Sequence, residues 1–447
     1  MFFNKGGYLI LNYEKPITLH VGIDDTDSAE GMCTTYLTCI ILNKLRKHNI
    51  YPVDYPRLIR LNPFARYKTR GNGALSFKVE VEDEKQEQLI KDVTLEYVEK
   101  YAMFDGVNTN PGVIFYKGEI TDAMRCYAQN AIYEIYTIDY ATKFAQENNI
   151  EYHKFKKGRG IIGAIAAISL KLTDQTFELL AYRQADKYGT KRCLDDESIF
   201  KMNEITYPDT FDNIDVEQNY TAIEPHTPCP VLYGIRGNTP EAVKKAHTIV
   251  KSCEEIEDYC IFRTNQHTDM HMQEDIPIKD MKQTGCYVFD CEVVKNPYDI
   301  KGGHVFFEVS DDTGVLTCAA FEPTKSFRDI VRKLRVGDKL TIYGGLNENN
   351  TLNMEKFKLN TVADEYVYEN PVCKCGRRMK SAGKNKGFKC PNCKEKIRSS
   401  DKVKRSIKRE IEPGFYEVPT EARRHLSKPI IRITTGADMI LKNQQDL

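Results

Sequence analysis

The 447-residue chain lacks any run of about 18 uninterrupted apolar residues, which excludes an ordinary transmembrane helix. Residues 1–10 also lack the basic start, apolar core and small-residue cleavage site of a secretory signal, so we expect a cytoplasmic protein. A Gly-x-x-x-x-Gly-Lys-[Ser/Thr] phosphate loop is missing as well, which disfavours a standard P-loop enzyme. Without an export signal, the 14 cysteines indicate reduced thiols and a metal site, not a disulfide framework.

The chain also lacks net charge, because 64 basic side chains balance 64 acidic ones. The two signs are distributed unevenly, however. Residues 371–447 carry 20 Lys and Arg against 8 Asp and Glu, and the rest of the chain has the opposite excess. A basic tail on an acidic body is typical of a protein whose tail meets a polyanion, although a solvated basic surface gives the same pattern.

Short strand-like segments follow one another after residue 286, whereas strands and helices alternate before it. The segments are rich in β-branched and apolar residues, and they occupy residues 287–294, 304–309, 315–321 and 336–343. Short strands at this spacing predict a small β-barrel, for which an OB-fold fits best. The alternating pattern upstream predicts an α+β body, and the overall length predicts about three or four domains.

Four cysteines in two close pairs give the most specific local signal. They are Cys373 and Cys375, and then Cys390 and Cys393 after a basic stretch that contains glycine. Four thiolates at this spacing can form the tetrahedral shell that zinc prefers. We therefore predict a structural zinc site, with protein ligands at all four positions; free thiols in a basic loop are the alternative.

An acidic loop follows the first predicted strand and precedes a helical pattern. The loop holds Asp24, Asp25 and Asp27, and the helical pattern starts after Thr34 and Thr35. Carboxylate oxygens suit magnesium, and the free N–H groups at a helix N-terminus favour a phosphate. The arrangement therefore predicts an ATP–magnesium site, and an acidic surface turn with an ordinary helix cap is the competing interpretation.

A basic loop at residues 62–73 offers further contacts for a triphosphate. Lys68, Arg70 and Asn72 stand there among glycines, and Asn110 precedes a Pro-Gly turn. Cationic and amide side chains in such a loop can neutralise phosphate charge. A solvated basic turn, and a plain turn residue at Asn110, explain the same pattern without a ligand.

A barrel, a zinc module and a basic tail form an arrangement that is typical of nucleic-acid binding. Aromatic residues alternate with charged ones in the predicted barrel strands, where they are available for base stacking. Farther along, Arg423, Arg424 and His425 fall on a predicted helical stretch of the tail. We predict that this stretch contacts RNA phosphates.

Taken together, these motifs resemble one family, the archaeal TiaS enzymes, which are isoleucine-tRNA 2-agmatinylcytidine synthetases. The resemblance extends over nearly the whole chain and depends on the following segments: GIDDTDS (22–28), GMCTT (31–35), RYKTRGNG (66–73), NTNPG (108–112), GRGIIGA (158–164), TPCPVLYGIRG (227–237), RTNQHTDMH (263–271) and RMKSAG (378–383). The Cys373-x-Cys375 pair is tighter than the family pattern, and the first 15 residues or so have no counterpart in it.

The resemblance implies a multidomain α+β protein with four parts. They are a kinase-like α/β domain for ATP and cytidine (1–155), a ferredoxin-like domain (156–280), an OB-fold β-barrel (281–367), and a zinc ribbon with a basic helical tail (368–447). The implied partners are agmatine and the isoleucine tRNA with a CAU anticodon. ATP, magnesium and structural zinc are the implied cofactors.

The implied reaction joins agmatine to C2 of the wobble cytidine. ATP activates the C2 oxygen as a phosphate ester, the agmatine amine displaces the phosphate, and ATP ends as AMP and two phosphates. The modified base pairs with A, so the tRNA decodes AUA. The anticodon loop would enter the first domain with its wobble base flipped out, and the ribbon and tail would hold a distant part of the tRNA.

The chemistry of the implied reaction gives a role to each candidate residue. Asp24, Asp25 and Asp27 form the magnesium and phosphate site, and Thr34 aligns with a threonine that family members autophosphorylate. The contacts to ATP are Thr35, Lys68, Arg70, Asn72 and Asn110. The guanidinium of agmatine requires a carboxylate, for which we consider Asp195, Asp196 and Asp209, although a surface or capping role explains each of these as well.

Two other function classes remain open at this point. The first is a non-catalytic OB-fold and zinc-ribbon protein that binds nucleic acid. This class does not explain the acidic strand-loop-helix site upstream of the barrel. The second is a metal-dependent phosphoesterase built on the acidic loop. It would need further His or Asp ligands, but the chain has only 9 His, of which His20 alone is near that loop.

Overall fold

The structure is a computed structural model that describes residues 12–69, 71–398 and 402–435. Arg70, one of the predicted ATP contacts, therefore lies outside the described residues. None of the helices in the described ranges is long and apolar enough to cross a membrane.

The N-terminal region alternates strands with helices. Its strands are β1 (Asn12–Asp24), β2 (Arg57–Arg60), β3 (Gly73–Asp83), β4 (Gly112–Lys117) and β5 (Glu151–Lys154). Its helices are α1 (Thr34–Arg46), α2 (Glu84–Tyr101), α3 (Asp122–Tyr133) and α4 (Ile138–Glu147). The side chains of Asp83, Thr121 and Thr137 accept backbone N–H groups as the N-caps of α2, α3 and α4. The cap at Thr137 marks where α4 begins after the end of α3 at Tyr133.

The second region begins with α5 (Ile161–Ser169) and continues with short strands and two helices. The strands are β6 (Thr176–Arg183), β7 (Thr210–Phe211), β8 (Ile214–Asp215), β9 (Tyr220–Thr221), β10 (Val231–Gly237), β11 (Ile256–Thr264) and β12 (Met272–Gln273). The helices are α6 (Asp196–Thr206) and α7 (Pro240–Ile249). A Cys193–Cys253 disulfide links the start of α6 to the segment before β11. The expectation of reduced thiols was wrong for this pair, because the fold brings together two cysteines that are 60 residues apart.

These two regions share one nine-stranded sheet. Its strand order is β5-β4-β1-β3-β2-β11-β6-β10-β7, and the parallel pair β2–β11 joins the two halves. Apolar side chains of α1 and α2 cover one face of the first half, and those of α3, α4 and α5 cover the other face. Both faces are therefore covered, which fits the four consecutive buried residues 74–77 of β3.

A closed five-stranded barrel follows, as the sequence predicted. The strands β13 (Cys286–Ile300), β14 (His304–Ser310), β15 (Val315–Ala320), β16 (Lys339–Leu346) and β17 (Thr351–Thr361) pair in the order β13-β14-β15-β17-β16, and β16 returns to β13. The short helix α8 (Ser326–Val331) packs into the barrel core through Phe327 and Val331. The sequence pattern did not predict β17, which closes the barrel.

The last part of the chain leaves the barrel and then comes back to it. Strands β18 (Glu365–Glu369) and β22 (Val403–Ile407) form a two-stranded stalk, which carries the small sheet of β19 (Lys380–Ser381), β20 (Phe388–Lys389) and β21 (Lys396–Ile397). Residues 412–435, which we call the return segment, contain β23 (Gly414–Glu417), paired with β17, and α9 (Ile430–Thr434). The predicted basic helical tail is therefore mostly extended within the residues that the structure describes.

Candidate active site

A cavity of about 1330 Å³ lies between the two halves of the nine-stranded sheet and the return segment. Most of the residues that the sequence singled out line this cavity. They are Asp24, Asp25, Asp27, Thr34, Thr35, Lys68, Asn72, Asn110, Arg423, Arg424 and His425. Residues that lie far apart in the sequence therefore meet in one place.

Glycines allow α5 to pack directly against the strands that carry the acidic loop. A Cβ at Gly22 on β1 would lie 2.4 Å from the carbonyl oxygen of Ala164, and one at Gly112 on β4 would lie 2.1 Å from the backbone N of Ile161. A Cβ at Gly163 would lie 2.2 Å from Oδ2 of Asp24. The glycine-rich motif at 158–164 thus serves close packing, and it leaves room for the Asp24 carboxylate.

The two adjacent carboxylates at the end of β1 are electrostatically unfavourable on their own. Burial, and then the neighbouring Asp25, raise the pKa of Asp24 well above its ordinary value. Burial also raises the pKa of Asp25 to about 6, although Arg159 opposes this effect. Asp25 has a φ of 62°, in the left-handed region that residues with a side chain rarely adopt. A bound cation would favour the ionised form of both groups.

Arg159 holds the Asp25 carboxylate, and sequence reasoning gave this arginine no role. Its Nη2 lies 2.8 Å from Oδ2 of Asp25, and it donates to the carbonyl of Tyr67 at 3.1 Å. The backbone N–H of Asn110 donates to the same Asp25 oxygen at 3.2 Å. The only available signal was the position of this arginine inside the GRGIIGA motif.

The N-terminus of α1 faces the cavity beside these carboxylates. The N-cap residue Cys33 makes no side-chain cap hydrogen bond, and the first turn carries no acidic residue. Thr34, the first residue of α1, accepts a hydrogen bond from the hydroxyl of Thr26 at 3.0 Å. The hydroxyl of Thr35 lies 2.9 Å from the Cys33 sulfur. A helix that starts without an anionic cap leaves its positive end available to a phosphate.

The predicted triphosphate loop lines the cavity, but its polar groups also support the loop itself. Lys68 donates to the carbonyl of Pro63, and Asn72 donates to the carbonyl of Asn62 at 2.9 Å. The side-chain amide of Asn110 donates to the carbonyl of Asn108 at 3.0 Å, as expected of a turn residue. These side chains would have to exchange backbone partners for phosphate, while Asn110 also orients Asp25 through its backbone.

The structure contradicts the predicted helix at Arg423, Arg424 and His425. These residues follow a 3₁₀ turn that ends at Ala422, and they precede α9. The side chain of Arg423 is 6% exposed and its Nε lies 3.0 Å from Oδ2 of Asp212. The tail looked like an exposed basic face because its acidic partners are distant in the sequence. These residues form a wall of the cavity instead.

The three aspartates considered for agmatine do not line the cavity. Asp195 is the N-cap of α6 and accepts the backbone N–H of Glu197 at 3.1 Å, so its capping interpretation applies. Asp196 accepts a hydrogen bond from the Thr221 hydroxyl at 3.3 Å, and Asp209 is exposed just after the end of α6. Sequence reasoning missed α6, whose acidic first turn explains the pair of aspartates.

The second half of the sheet contributes ion pairs to the cavity that sequence reasoning also missed. Glu178 on β6 lies 3.0 Å from Nε of Arg236 on β10, and the amide of Gln266 donates to it at 2.5 Å. His267 lies 3.2 Å from Asp212. One member of each pair, Arg236 and His267, lies in a motif of the resemblance (227–237 and 263–271), but its acidic partner is distant in the sequence, so spacing alone could not reveal the pairs.

The four predicted zinc ligands converge at the base of the small ribbon sheet. Their sulfur atoms all lie within 4.8 Å of one another, with 3.4 Å between Cys373 and Cys393 and 3.5 Å between Cys375 and Cys390. Sulfurs that share a tetrahedral zinc at about 2.3 Å lie about 3.8 Å apart, so the cluster fits a structural zinc ion. The short Cys-x-Cys pair is no obstacle to this geometry.

Domain models match four successive parts of the chain, and three of these models belong to one family. They are the TiaS TCKD domain at residues 20–157, the TiaS FLD domain at 158–271, an OB-fold nucleic acid binding domain at 292–366 and the TiaS C-terminal zinc ribbon domain at 370–411. The closed barrel is thus an OB-fold domain, and the four-cysteine cluster belongs to a zinc ribbon.

Whole-chain relatives agree with the domain models. Isoleucine-tRNA 2-agmatinylcytidine synthetases named TiaS, from Archaeoglobus fulgidus and Methanocaldococcus jannaschii, are 46% and 44% identical to this chain. The alignments cover 94% and 93% of this chain and 99% and 98% of the relatives. A crystal structure of TiaS in complex with its isoleucine tRNA and ATP is similar, with a TM-score of 0.86, 45% identity, and coverage of 93% of this chain and 97% of the other. A complex of TiaS with the same tRNA, AMPCPP and agmatine has a TM-score of 0.83 at 42% identity, with the same coverage. The chain therefore belongs to the TiaS family.

Proposed function

We propose that this chain is an ATP-dependent synthetase that joins agmatine to C2 of the wobble cytidine in the isoleucine tRNA with a CAU anticodon. The observation that carries the proposal is the single cavity in which the carboxylates of Asp24 and Asp25, the N-terminus of α1 and the loop of Lys68 meet. A binding protein without catalysis would have no need of a buried carboxylate pair whose charge is unfavourable without a cation. The similarity to synthetases solved with tRNA, ATP and agmatine supports the same conclusion.

The proposed reaction proceeds in two displacements. The C2 oxygen of a pyrimidine is a poor leaving group, and transfer of a phosphoryl group from ATP to that oxygen makes it a good one. The amine of agmatine, after losing a proton, then attacks C2, and the phosphate departs with the former C2 oxygen. The product pairs with A, so the tRNA would decode AUA as isoleucine.

Asp24 and Asp25 are the groups that would hold magnesium, which would neutralise negative charge on the phosphates. Arg159 keeps the Asp25 carboxylate in place at 2.8 Å. Lys68 and the positive end of α1 would stabilise the charge of the transferring phosphoryl group. The hydroxyl of Thr34 lies at the same helix end, which makes it the candidate for autophosphorylation.

For the guanidinium of agmatine we favour a carboxylate of the cavity wall, Glu224. This side chain lines the cavity, and burial raises its pKa; nearby Arg192 opposes this effect and Asp196 adds to it. A cationic ligand would relieve the cost of burying this carboxylate. We expect Glu224→Gln to raise the KM for agmatine and leave the KM for ATP unchanged. An equal rise in the KM for agmatine with Asp196→Asn, outside the cavity lining, would count against Glu224 as the specific partner of the guanidinium.

The proposed architecture follows the four parts implied by the resemblance, 1–155, 156–280, 281–367 and 368–447. The path β6-α6-β7-β10-α7-β11, with strand order β11-β6-β10-β7, supports a ferredoxin-like second domain. Helices on both faces of β1, β3 and β4 support a kinase-like α/β first domain. We place the enzyme in the cytoplasm, where tRNA and ATP are available.

Nucleoside mass spectrometry tests the proposal directly. Unmodified CAU-anticodon isoleucine tRNA, incubated with the protein, magnesium, ATP and agmatine, should yield a cytidine heavier by agmatine minus water, and omission of ATP should abolish this product. Asp25→Asn should abolish the product while tRNA affinity stays within about twofold. Asp186→Asn, on a residue with an exposed side chain outside the cavity lining, is the matched control. Full activity of Asp25→Asn would remove the acidic site from the mechanism.

A further inference from the structure

The return segment docks onto the motif RTNQHTDMH, which the proposed reaction leaves without a role. The backbone N–H of His267 donates to the carbonyl of His425 at 2.8 Å, and that of Asp269 donates to the carbonyl of Leu426 at 2.9 Å. Before this point, β23 is paired with β17 of the barrel. The segment thus joins the barrel to the second half of the large sheet.

Buried ion pairs fix the segment in this position. Arg432 lies 2.8 Å from Asp174, with 2% of its side chain exposed. Lys356, a fully buried residue of β17, lies 2.6 Å from Asp269 and also donates to the carbonyl of Lys428 in the return segment at 2.9 Å. A buried charge that loses its partner is strongly destabilised, so these pairs hold the segment in one register.

This register aims Arg424 into the cavity beside the loop of Lys68. The guanidinium of Arg424 lies over the ring of Phe64 at 4.9 Å, and its Nη1 lies 3.2 Å from Oε1 of Glu355 on β17. Burial lowers the pKa of Lys68, and the charge of Arg424 lowers it further. Two cations of separate segments therefore approach each other at the cavity wall, an arrangement that an anion between them would stabilise.

Three buried side chains with metal-ligating atoms lie beside Arg424 on the side of the barrel. His271, Cys286 and Glu355 place ligand-type atoms within 4.8 Å of one another, which by itself would fit a metal ion. However, Nη1 of Arg424 lies 3.2 Å from Glu355 and 4.0 Å from the Cys286 sulfur. A guanidinium already supplies positive charge to this cluster, so we interpret it as the site that anchors Arg424.

We propose that Arg424, held by Glu355, binds the phosphates of the nucleotide together with Lys68, so that the barrel and the return segment complete the ATP site. The inference rests on the proposed function and deepens it, since it assigns nucleotide affinity to a residue outside the first domain. Arg424 was predicted to contact tRNA at a distance from the reaction, and this inference reassigns it to the nucleotide.

Binding of AMPCPP and of AMP to the full-length protein with magnesium, together with the tRNA dissociation constant, tests this assignment. Arg424→Ala should weaken AMPCPP binding about 10-fold, with a much smaller effect on AMP and tRNA affinity within about twofold. Arg424→Gln, which can still pack on Phe64 and donate to Glu355, should lose AMPCPP affinity in the same way without its charge, and Arg424→Lys should restore part of it. Arg405→Ala, on the exposed stalk, should leave AMPCPP binding unchanged.

The outcomes separate the two levels of the proposal. Equal losses for AMPCPP and AMP would indicate a purely structural role and overturn the assignment, as would unchanged AMPCPP binding in folded Arg424→Gln. A loss of tRNA affinity alone would make Arg424 an RNA contact and would also overturn it. Wild-type protein that binds no AMPCPP at all would refute the proposed function, and the inference with it.

Discussion

Gly163→Ala should inactivate the protein with only a modest loss of stability. Helix propensity alone predicts the opposite sign, because an interior glycine costs about 1 kcal/mol relative to alanine. In the structure, however, the new Cβ would lie 2.2 Å from Oδ2 of Asp24 and 2.9 Å from the Cβ of Ala74. Overpacking of this kind costs about 1–3 kcal/mol, so the net loss should be about 0–2 kcal/mol.

The functional loss should be larger than the stability loss, because the group that must move is the Asp24 carboxylate. A displacement of about 1 Å at a reacting centre can cost about 100-fold in rate. We therefore expect product formation to fall about 100-fold, while the urea midpoint shifts only slightly and tRNA binding persists. Nucleoside mass spectrometry and urea denaturation of the same preparation measure the two effects.

A double-mutant cycle with Asp24→Ala isolates the contact. Without the carboxylate, Gly163→Ala should be less destabilising by about 1 kcal/mol or more, since only the contact with Ala74 remains. Additive stabilities would show that the two residues are not coupled. A Gly163→Ala protein that is more stable than wild type by about 1 kcal/mol and fully active would refute the packing argument.

Three further predictions concern parts of the fold away from the acidic loop. In wild type, the Glu254 carboxylate lies 2.8 Å from the guanidinium of Arg183. Arg183→Met leaves this carboxylate buried without its partner, so the free energy of unfolding from urea denaturation should fall by about 3–5 kcal/mol. Adding Glu254→Gln should recover much of this loss. Metal analysis should find one zinc per chain, bound by the four cysteines. Removal of this zinc with a chelator should make the ribbon sensitive to proteolysis. The midpoint of the main thermal transition should change by less than about 2 °C, because the ribbon has its own small apolar core. Burial lowers the pKa of His20 to about 4, so the unfolded chain binds more protons than the folded one between pH 6.5 and 4. As the pH falls from 6.5 to 4, the free energy of unfolding should therefore decrease by about 2 kcal/mol more in wild type than in His20→Gln. Urea denaturation at each pH measures this difference.

Sequence patterns predicted a strand correctly where the strand consists of a short apolar run between turn residues. Four of the five barrel strands were found from short apolar runs between turns. The fifth strand, Thr351–Thr361, was missed because its polar residues, such as Asn353 and Lys356, interrupt the apolar pattern. Lys356 is nevertheless buried, since Asp269 from another region neutralises it at 2.6 Å.

Long-range pairing could not be predicted in the same way. The parallel contact of β2 with β11 joins residues about 200 positions apart, so no local pattern reveals that the first two regions share a sheet. The same limit applies to the disulfide and to Arg159, because the partner of Arg159 is Asp25, which directly follows β1 in a distant part of the sequence. The acidic loop, by contrast, was predictable because strand, carboxylates and helix start are adjacent in sequence.

The charge asymmetry of the chain has two physical components, which the sequence could not separate. In the return segment, Arg423, Arg424 and Arg432 pair with Asp212, Glu355 and Asp174, so part of the positive excess of the tail neutralises the acidic body from within. In the ribbon, every Lys and Arg from residue 374 to 398 is exposed. An RNA phosphate can reach the second group without breaking a buried ion pair, whereas access to the buried side chains of Arg423 and Arg432 would cost several kcal/mol for each pair. The surface that meets RNA through salt-sensitive contacts should therefore be the ribbon, and the return segment should act on the reaction through the cavity that it closes.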